Sequence, residues 1–190
     1  MTIQRCGWCS NDPLYIAYHD HEWGKPLKDE ARLFEMLCLE GQQAGLSWIT
    51  VLKKREAYRE LFFQYSIQDI AQFSDAYLAQ CCLDARIIRH IGKLKAIRDN
   101  ALAWQQLKTE RIDPVIWLWD FVDGRTKVND VENYKTAPAQ TALSQHISKV
   151  LKKRGFKFVG PTTIYAFMQA VGMINDHENH CDFKVCSAPL

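Results

Sequence analysis

Apolar residues in this chain recur at helical spacing in nearly every segment, and no stretch alternates long enough to build a sheet, which confines the fold to helices packed on helices. Leu33, Phe34, Met36, Leu37 and Glu40 follow the i, i+3, i+4, i+7 rule, and Gly41 and Gly45 then loosen the segment. Ser47 is placed to cap a second helix through Trp48, Val51, Leu52, Tyr58 and Leu61, and Ser66 and Ser74 to cap two shorter ones. Segments 84–90 and 93–107 read as two helices flanking a tight turn at Ile91-Gly92. Asp12-Pro13 opens a short helix and Pro114 opens 115–122. Residues 123–140 are the least regular stretch, followed by helices over 141–154, stopped by Gly155, and 161–173, started by Pro161. One all-α domain over residues 1–190 is the expected architecture.

Composition agrees, because 190 residues with 47% hydrophobic and 24% charged side chains suffice for a packed globular core. No apolar run approaches the twenty or so residues that cross a bilayer, and the start MTIQRCGWCSNDP has no apolar signal stretch. The expectation is a cytoplasmic protein with no membrane partner. Seven cysteines, an odd number without an export signal, argue against a disulfide framework. The net charge of +2 hides an uneven distribution: residues 51–100 carry 9 basic and 6 acidic side chains, and a further basic cluster lies between Lys152 and Lys157. Such patches suit either a face that meets a polyanion or ordinary solvated helix surfaces.

Cys6 and His19 stand twelve residues apart near one end, and His177 and Cys181 three apart near the other. If its segment is helical, the second pair shares one face, a spacing that zinc ligation uses. Together the four make a Cys2His2 set with no open position, so a zinc there would be structural and would join the terminal segments. Cys9, His21, His180 and Cys186 lie near enough to replace any of the four, and the alternative is a set of unrelated histidines and thiols.

Trp8, Tyr15, Tyr18 and Trp23 crowd into residues 8–23, with Tyr15 and Tyr18 on one side of a short helix. They are either core or the wall of a pocket, and Asp12, Asp20, His21 and Glu22 among them are unusual company for a plain core segment. Glu40 continues the apolar stripe of its helix and therefore points inward. A buried carboxylate needs a cation, such as Arg86 or Arg89, or a pocket that admits a polar ligand.

Residues 88–96, IRHIGKLKA, are similar to the helix-hairpin-helix of DNA-repair proteins, in which backbone N–H groups at the start of the second helix hold a phosphate. Ile91, Gly92 and Lys93 are the candidate DNA contacts, with Arg86, Arg89, Lys95 and Arg98 nearby.

The whole chain resembles the type I 3-methyladenine DNA glycosylases of the helix-hairpin-helix superfamily. The motifs are RCGW (5–8), DPLYIAYHDHEWG (12–24), LFEMLCLEGQQAGLSWITVLKKRE (33–56), IIRHIGKLKAI (87–97), LKKRGFKFVGPTTIYAFMQA (151–170) and NDH (175–177) followed by Cys181. The resemblance implies an enzyme of base-excision repair that flips a methylated adenine out of duplex DNA and hydrolyses its N-glycosidic bond, releasing free 3-methyladenine. It implies one structural zinc per chain on Cys6, His19, His177 and Cys181, tying 1–24 to 174–190, with the hairpin motif at about 84–107. The base pocket falls on Trp8, Tyr15, Tyr18 and Trp48, with Trp23 close by and Glu40 at the base edge as catalytic or recognition carboxylate. Gly45 and Leu46 would fill the gap left by the flipped nucleotide. The superfamily's usual catalytic aspartate is missing, Asp99 and Asp113 having no matching context. Leu94 stands where strand-cleaving members carry a Schiff-base lysine, which implies a monofunctional enzyme, and a monomer suffices for that task.

Overall fold

The computed structural model describes residues 3–184, so Cys186, one alternative metal ligand, lies outside the described residues. The chain forms α1 (Pro13–His21), α2 (Glu30–Gln43), α3 (Trp48–Tyr58), α4 (Ile67–Ile70), α5 (Asp75–Cys81), α6 (Ile91–Thr109), α7 (Pro114–Asp120), α8 (Ala142–Lys153) and α9 (Pro161–Ala170). Local chemistry starts most of them. The side chains of Asp12, Ser66, Ser74, Asp113 and Thr141 each accept a backbone N–H of the first turn they precede. Asp113 is thereby a helix cap. Ser47 precedes α3 as expected, but its hydroxyl pairs with that of Thr50 at 2.8 Å instead of with the backbone.

The core is built around α2, which packs against α9, α3 and α6. Every residue from Leu33 to Gln42 is buried, so α2 is enclosed on all sides. Its one glycine inside the packed part, Gly41, lies where an added Cβ would come within 3.2 Å of Phe158 Cβ.

Three expectations need correction. Residues 84–90 are not helical: Asp84 Oδ1 accepts the N–H of Arg86 at 2.8 Å, a side-chain turn that competes with helix, and the helix before the turn is α5. Ile91 and Gly92 are not a turn between helices; they are the first residues of α6, because the His90 ring caps it by accepting the N–H of Lys93 at 3.1 Å. The last helix stops at Ala170, where Gly172 takes φ +72 and passes so close to Lys25 and Pro26 that a Cβ would strike their backbone. The chain then runs extended as β2 (Ile174–Asn175), pairing in parallel with β1 (Lys127–Val128) inside the irregular stretch. This two-residue pair was invisible to periodicity, as was the π-helical turn Arg59–Phe63 that carries Leu61 beyond the end of α3.

Candidate functional site

Two adjoining sites occupy the region where the first 25 residues meet 129–138 and 174–184. The first is a cavity of about 280 Å³, near the lower end of small-molecule pockets and of a size for one small planar ligand. Helix α1 contributes Tyr15 and Tyr18, α2 contributes Glu40, α3 begins with Trp48, and Trp8 and Trp23 come from the loops on either side of α1. Trp8 lies 5.1 Å from Tyr15 and 4.8 Å from Trp23, centroid to centroid, while Tyr18 lies 5.4 Å from Trp48. All six residues expected around a base are therefore in one place. Gln43, Tyr134, Ala137, Pro138, Ala166, Gln169 and Asp176 complete the lining.

Glu40 is 3% exposed, and no arginine reaches it: Arg86 pairs instead with Asp84 at 2.9 Å and Glu60 at 2.6 Å. Burial raises its carboxyl from the ordinary 4.5 to about 8, so the free protein holds it protonated at neutral pH. Among the described residues, four buried side-chain polar atoms have no hydrogen-bond partner, and three of them, Trp8 Nε1, Glu40 Oε2 and Trp48 Nε1, belong to residues lining this cavity. A fold rarely leaves such groups unmet, and concentrating them in one pocket is the mark of a site completed by a polar ligand.

The fourth orphan, His177 Nε2, marks the second site. Cys6, His19, His177 and Cys181 are all buried, and their ligand atoms lie within 4.8 Å of one another. The segment holding His177 and Cys181 is a chain of turns, so the one-face argument does not apply; the loop brings the pair together without a helix. The donor set suits a tetrahedral zinc. The second shell suits it too, because His19 Nδ1 pairs with Asp20 Oδ1 and His177 Nδ1 with Asn175 Oδ1, both at 2.8 Å, which turns each Nε2 inward. Arg5 forks onto Asp20 at 2.7–3.0 Å and fixes it in turn. Burial lowers His177 to about 4 and raises the Cys6 thiol. His21 and His180 are exposed and outside the cluster, and Cys9 points its thiol toward backbone carbonyls. Trp23 joins the two sites, its ring 4.6 Å from that of His177.

The remaining candidates are not part of the pocket lining. Gly45, at φ +79, and Leu46, 42% exposed, form the turn after α2. The N–H groups of Lys93 and Leu94 turn back to His90 O at the start of α6, which leaves Ile91 and Gly92 presenting theirs ahead of the helix. Lys93 itself does not face outward. Its ammonium is buried and donates to the carbonyls of Gln42 and Ala44, both at 2.8 Å, closing the end of α2. The nearby cations are also largely committed, Lys95 and Arg98 both to Asp75, so Arg89 is the exposed charge of this turn. Leu94 is fully buried. Asp99 sits on the partly exposed face of α6, 3.7 Å from Arg98.

Sequence reasoning missed Gln43, Tyr134, Ala137, Pro138, Ala166, Gln169 and Asp176 as lining residues. The adjacency of Asp176 to His177 was a usable signal. Nothing local marks 134–138, because that wall is defined only by contacts with residues far away in the chain.

The fold and its two sites define a helical protein with an aromatic pocket closed by an unpaired carboxylate, beside a buried Cys2His2 cluster. The family model for methyladenine glycosylase matches residues 8–185, and the chain belongs to that enzyme family. It is 51% identical over 179 residues to DNA-3-methyladenine glycosylase 1 of Escherichia coli (strain K12), covering 94% of this chain and 96% of that protein. A crystal structure of 3-methyladenine DNA glycosylase I superimposes with a TM-score of 0.92 at 50% identity, covering 94% of this chain and 98% of that one. A tyrosine-to-phenylalanine variant of a 3-methyladenine DNA glycosylase I, solved in complex with 3-methyladenine, gives 0.92 at 35% identity, covering 97% and 99%.

Proposed function

We propose that this protein removes 3-methyladenine from alkylated duplex DNA by hydrolysing the N-glycosidic bond, as one step of base-excision repair. The observation that carries the reading is the set of three orphaned polar atoms on residues that line one aromatic cavity: a flipped base supplies both the planar faces and the hydrogen-bonding edge that they lack. The names of the relatives support the choice of base.

An adenine methylated at N3 within DNA carries positive charge, so aromatic faces attract it and a carboxylate at its amino edge pairs with it. The C1′–N9 bond breaks with its electron pair passing to the base, which leaves neutral. Water adds to the resulting oxocarbenium-like carbon and loses a proton to solvent. Glu40 recognises the base edge, and the rings of Trp8, Tyr15, Tyr18 and Trp48 hold the flipped base out of water. Flipping is easiest for damaged bases, so admission to the pocket supplies much of the selectivity.

In this reading Leu46, on the turn with Gly45, occupies the space vacated in the duplex, and the N–H groups of Ile91 and Gly92 hold a phosphate. Helices α5 and α6 with the connection between them form the helix-hairpin-helix. A buried leucine at position 94, where strand-cleaving enzymes need a lysine, supports hydrolysis without strand scission. Cys6, His19, His177 and Cys181 hold a zinc that supplies no chemistry to the reaction and fastens the two terminal segments beside the pocket.

The deciding experiment is chromatography of free bases released when the purified protein is incubated with methylated duplex DNA. Release of 3-methyladenine with little 7-methylguanine and no strand cleavage is expected; a folded, metal-loaded sample that releases no base overturns the reading.

A further inference from the structure

One wall of the pocket comes from residues 129–138, which contain no α-helix, only a 3-10 turn over Tyr134–Thr136. It is held almost entirely by the loop that contains His177 and Cys181. Asn129 Nδ2 donates to Asp176 Oδ1 at 2.7 Å, the N–H of Asn179 donates to Val131 O at 2.8 Å, and the Asn179 side chain reaches Asp130 at 2.6 Å. The centre of this arrangement is Glu178, which is 3% exposed. One of its oxygens accepts the N–H of Tyr134 at 2.8 Å and the other accepts the N–H of Gly7. A single carboxylate thus sets the spacing between the loop before Trp8 and the wall carrying Tyr134. The contact is close: a Cβ placed on Gly7 would come within 3.0 Å of the Tyr134 ring.

We propose that Tyr134 is a specificity-determining residue of the pocket, forming with Ala137 and Pro138 the apolar surface that receives the methyl group of the base. The proposal rests on the reading given above and deepens it. Both residues line the cavity, Glu40 buried at 3% exposure and Tyr134 half-exposed, so the cavity is closed on the side of Glu40 and reaches solvent beside Tyr134 in the orientation we assign. A base whose amino edge meets Glu40 turns its N3 edge, on the far side of the six-membered ring, outward toward this wall. There the added methyl gains contact with a ring and two aliphatic side chains, while the bare ring nitrogen of unmethylated adenine loses water and gains no donor. Such discrimination on one methyl group is worth at least about tenfold. Glu178 is a positioning residue, because it holds the wall through two backbone N–H groups and does not line the cavity.

The test compares binding of free 3-methyladenine and free adenine, followed by tryptophan fluorescence, in the unmodified protein and in Tyr134→Ala, Tyr134→Phe and Glu178→Gln. The preference for the methylated base is expected to fall about tenfold in Tyr134→Ala and to survive in Tyr134→Phe, which keeps the ring, with circular dichroism unchanged in both. Glu178→Gln is expected to move the preference in the same direction as Tyr134→Ala, because an amide offers one acceptor where two N–H groups require two. If that variant fails to fold, the Tyr134 pair decides alone. A Tyr134→Ala protein that keeps the full preference overturns the assignment and leaves the pocket reading standing. An unmodified protein that binds neither base overturns the pocket reading, and the assignment falls with it.

Discussion

The ammonium of Lys93 sits 2.8 Å from the carbonyl oxygen of Ala44, so the first turn of α6 closes the end of the helix that carries Glu40. The link is reciprocal, since Gln42 Nε2 donates to Lys93 O at 3.0 Å while Tyr58 donates to Gln42 Oε1 at 3.0 Å. The exposed turn with Leu46 and the start of α6 are therefore fixed to each other before any DNA arrives.

Replacing Lys93 with Met should cost roughly 2 kcal/mol, by leaving the carbonyls of Gln42 and Ala44 without their donor, and lower the melting temperature by about 4–8 °C. A lysine bound to phosphate behaves differently, weakening the salt dependence of DNA binding while leaving stability alone. Thermal melts and salt titrations of the same variant separate the two roles.

In the proposed reading Leu46 enters the duplex, where burying such a side chain is worth about 1.5–3 kcal/mol, and Leu46→Ala removes most of it. The expected result is a loss of roughly ten- to hundredfold in kcat/KM on duplex substrate with binding of the free base unchanged. Equal losses in both assays would place Leu46 in the pocket instead of in the duplex.

Glu40 is protonated in the free protein at neutral pH, so Glu40→Gln keeps its shape but abolishes the carboxylate that a cationic base in DNA draws out, and excision of 3-methyladenine should fall by about ten- to hundredfold, the range for one hydrogen bond to a charged group. Helicity and metal content should not change. Wild-type excision by this variant would exclude Glu40 from recognition.

The same residue makes stability depend on pH. Burial raises Glu40 to about 8, above its ordinary 4.5, so the folded state binds the extra proton across that window. Its contribution is complete below about 4.5, declines as pH rises toward 8, and is flat above. Denaturant titrations at pH 5, 7 and 9 should show the unmodified protein losing a few kcal/mol relative to Glu40→Gln over this range. Parallel curves for the two proteins would show that the carboxyl is not buried in solution.

Elemental analysis should find one zinc per chain, and chelation should expose the amides of 3–24 and 174–184 to hydrogen exchange before those of α2 and α6. Gly24→Ala tests the cluster without replacing any of its four residues. At φ +74 a Cβ there would lie 2.8 Å from the His177 ring, so the substitution should lower metal affinity by displacing that imidazole. Retention of metal at the unmodified affinity would show that the ring has room to move.

Much of this is legible in the sequence. The helical period located α2, α3 and α6 because their apolar residues recur at helical spacing within one element, and Ser66, Ser74 and Thr141 announced their helices through side-chain chemistry that acts over three residues. Glu40 stood out because a carboxylate on an apolar stripe contradicts its surroundings. The direction of Lys93 was not legible, since a lysine beside a glycine at a helix start serves equally as a phosphate ligand or as a cap for a helix reached only in three dimensions. Tyr134 was hidden for the same reason, its partner Glu178 standing 44 residues further along.

Glu178 and Cys6 are joined across 172 residues, and Glu178 reaches Gly7 across 171. During synthesis, then, the aromatic residues near the start emerge long before the loop that organises them. Helices can form as they leave the ribosome, but the pocket cannot close until residues 176–181 are free to return to the start of the chain. A chain interrupted between Ala170 and that loop has every helix of the core but lacks Asp176 and the residues that brace the pocket wall, so competence to bind the base reports synthesis through this point.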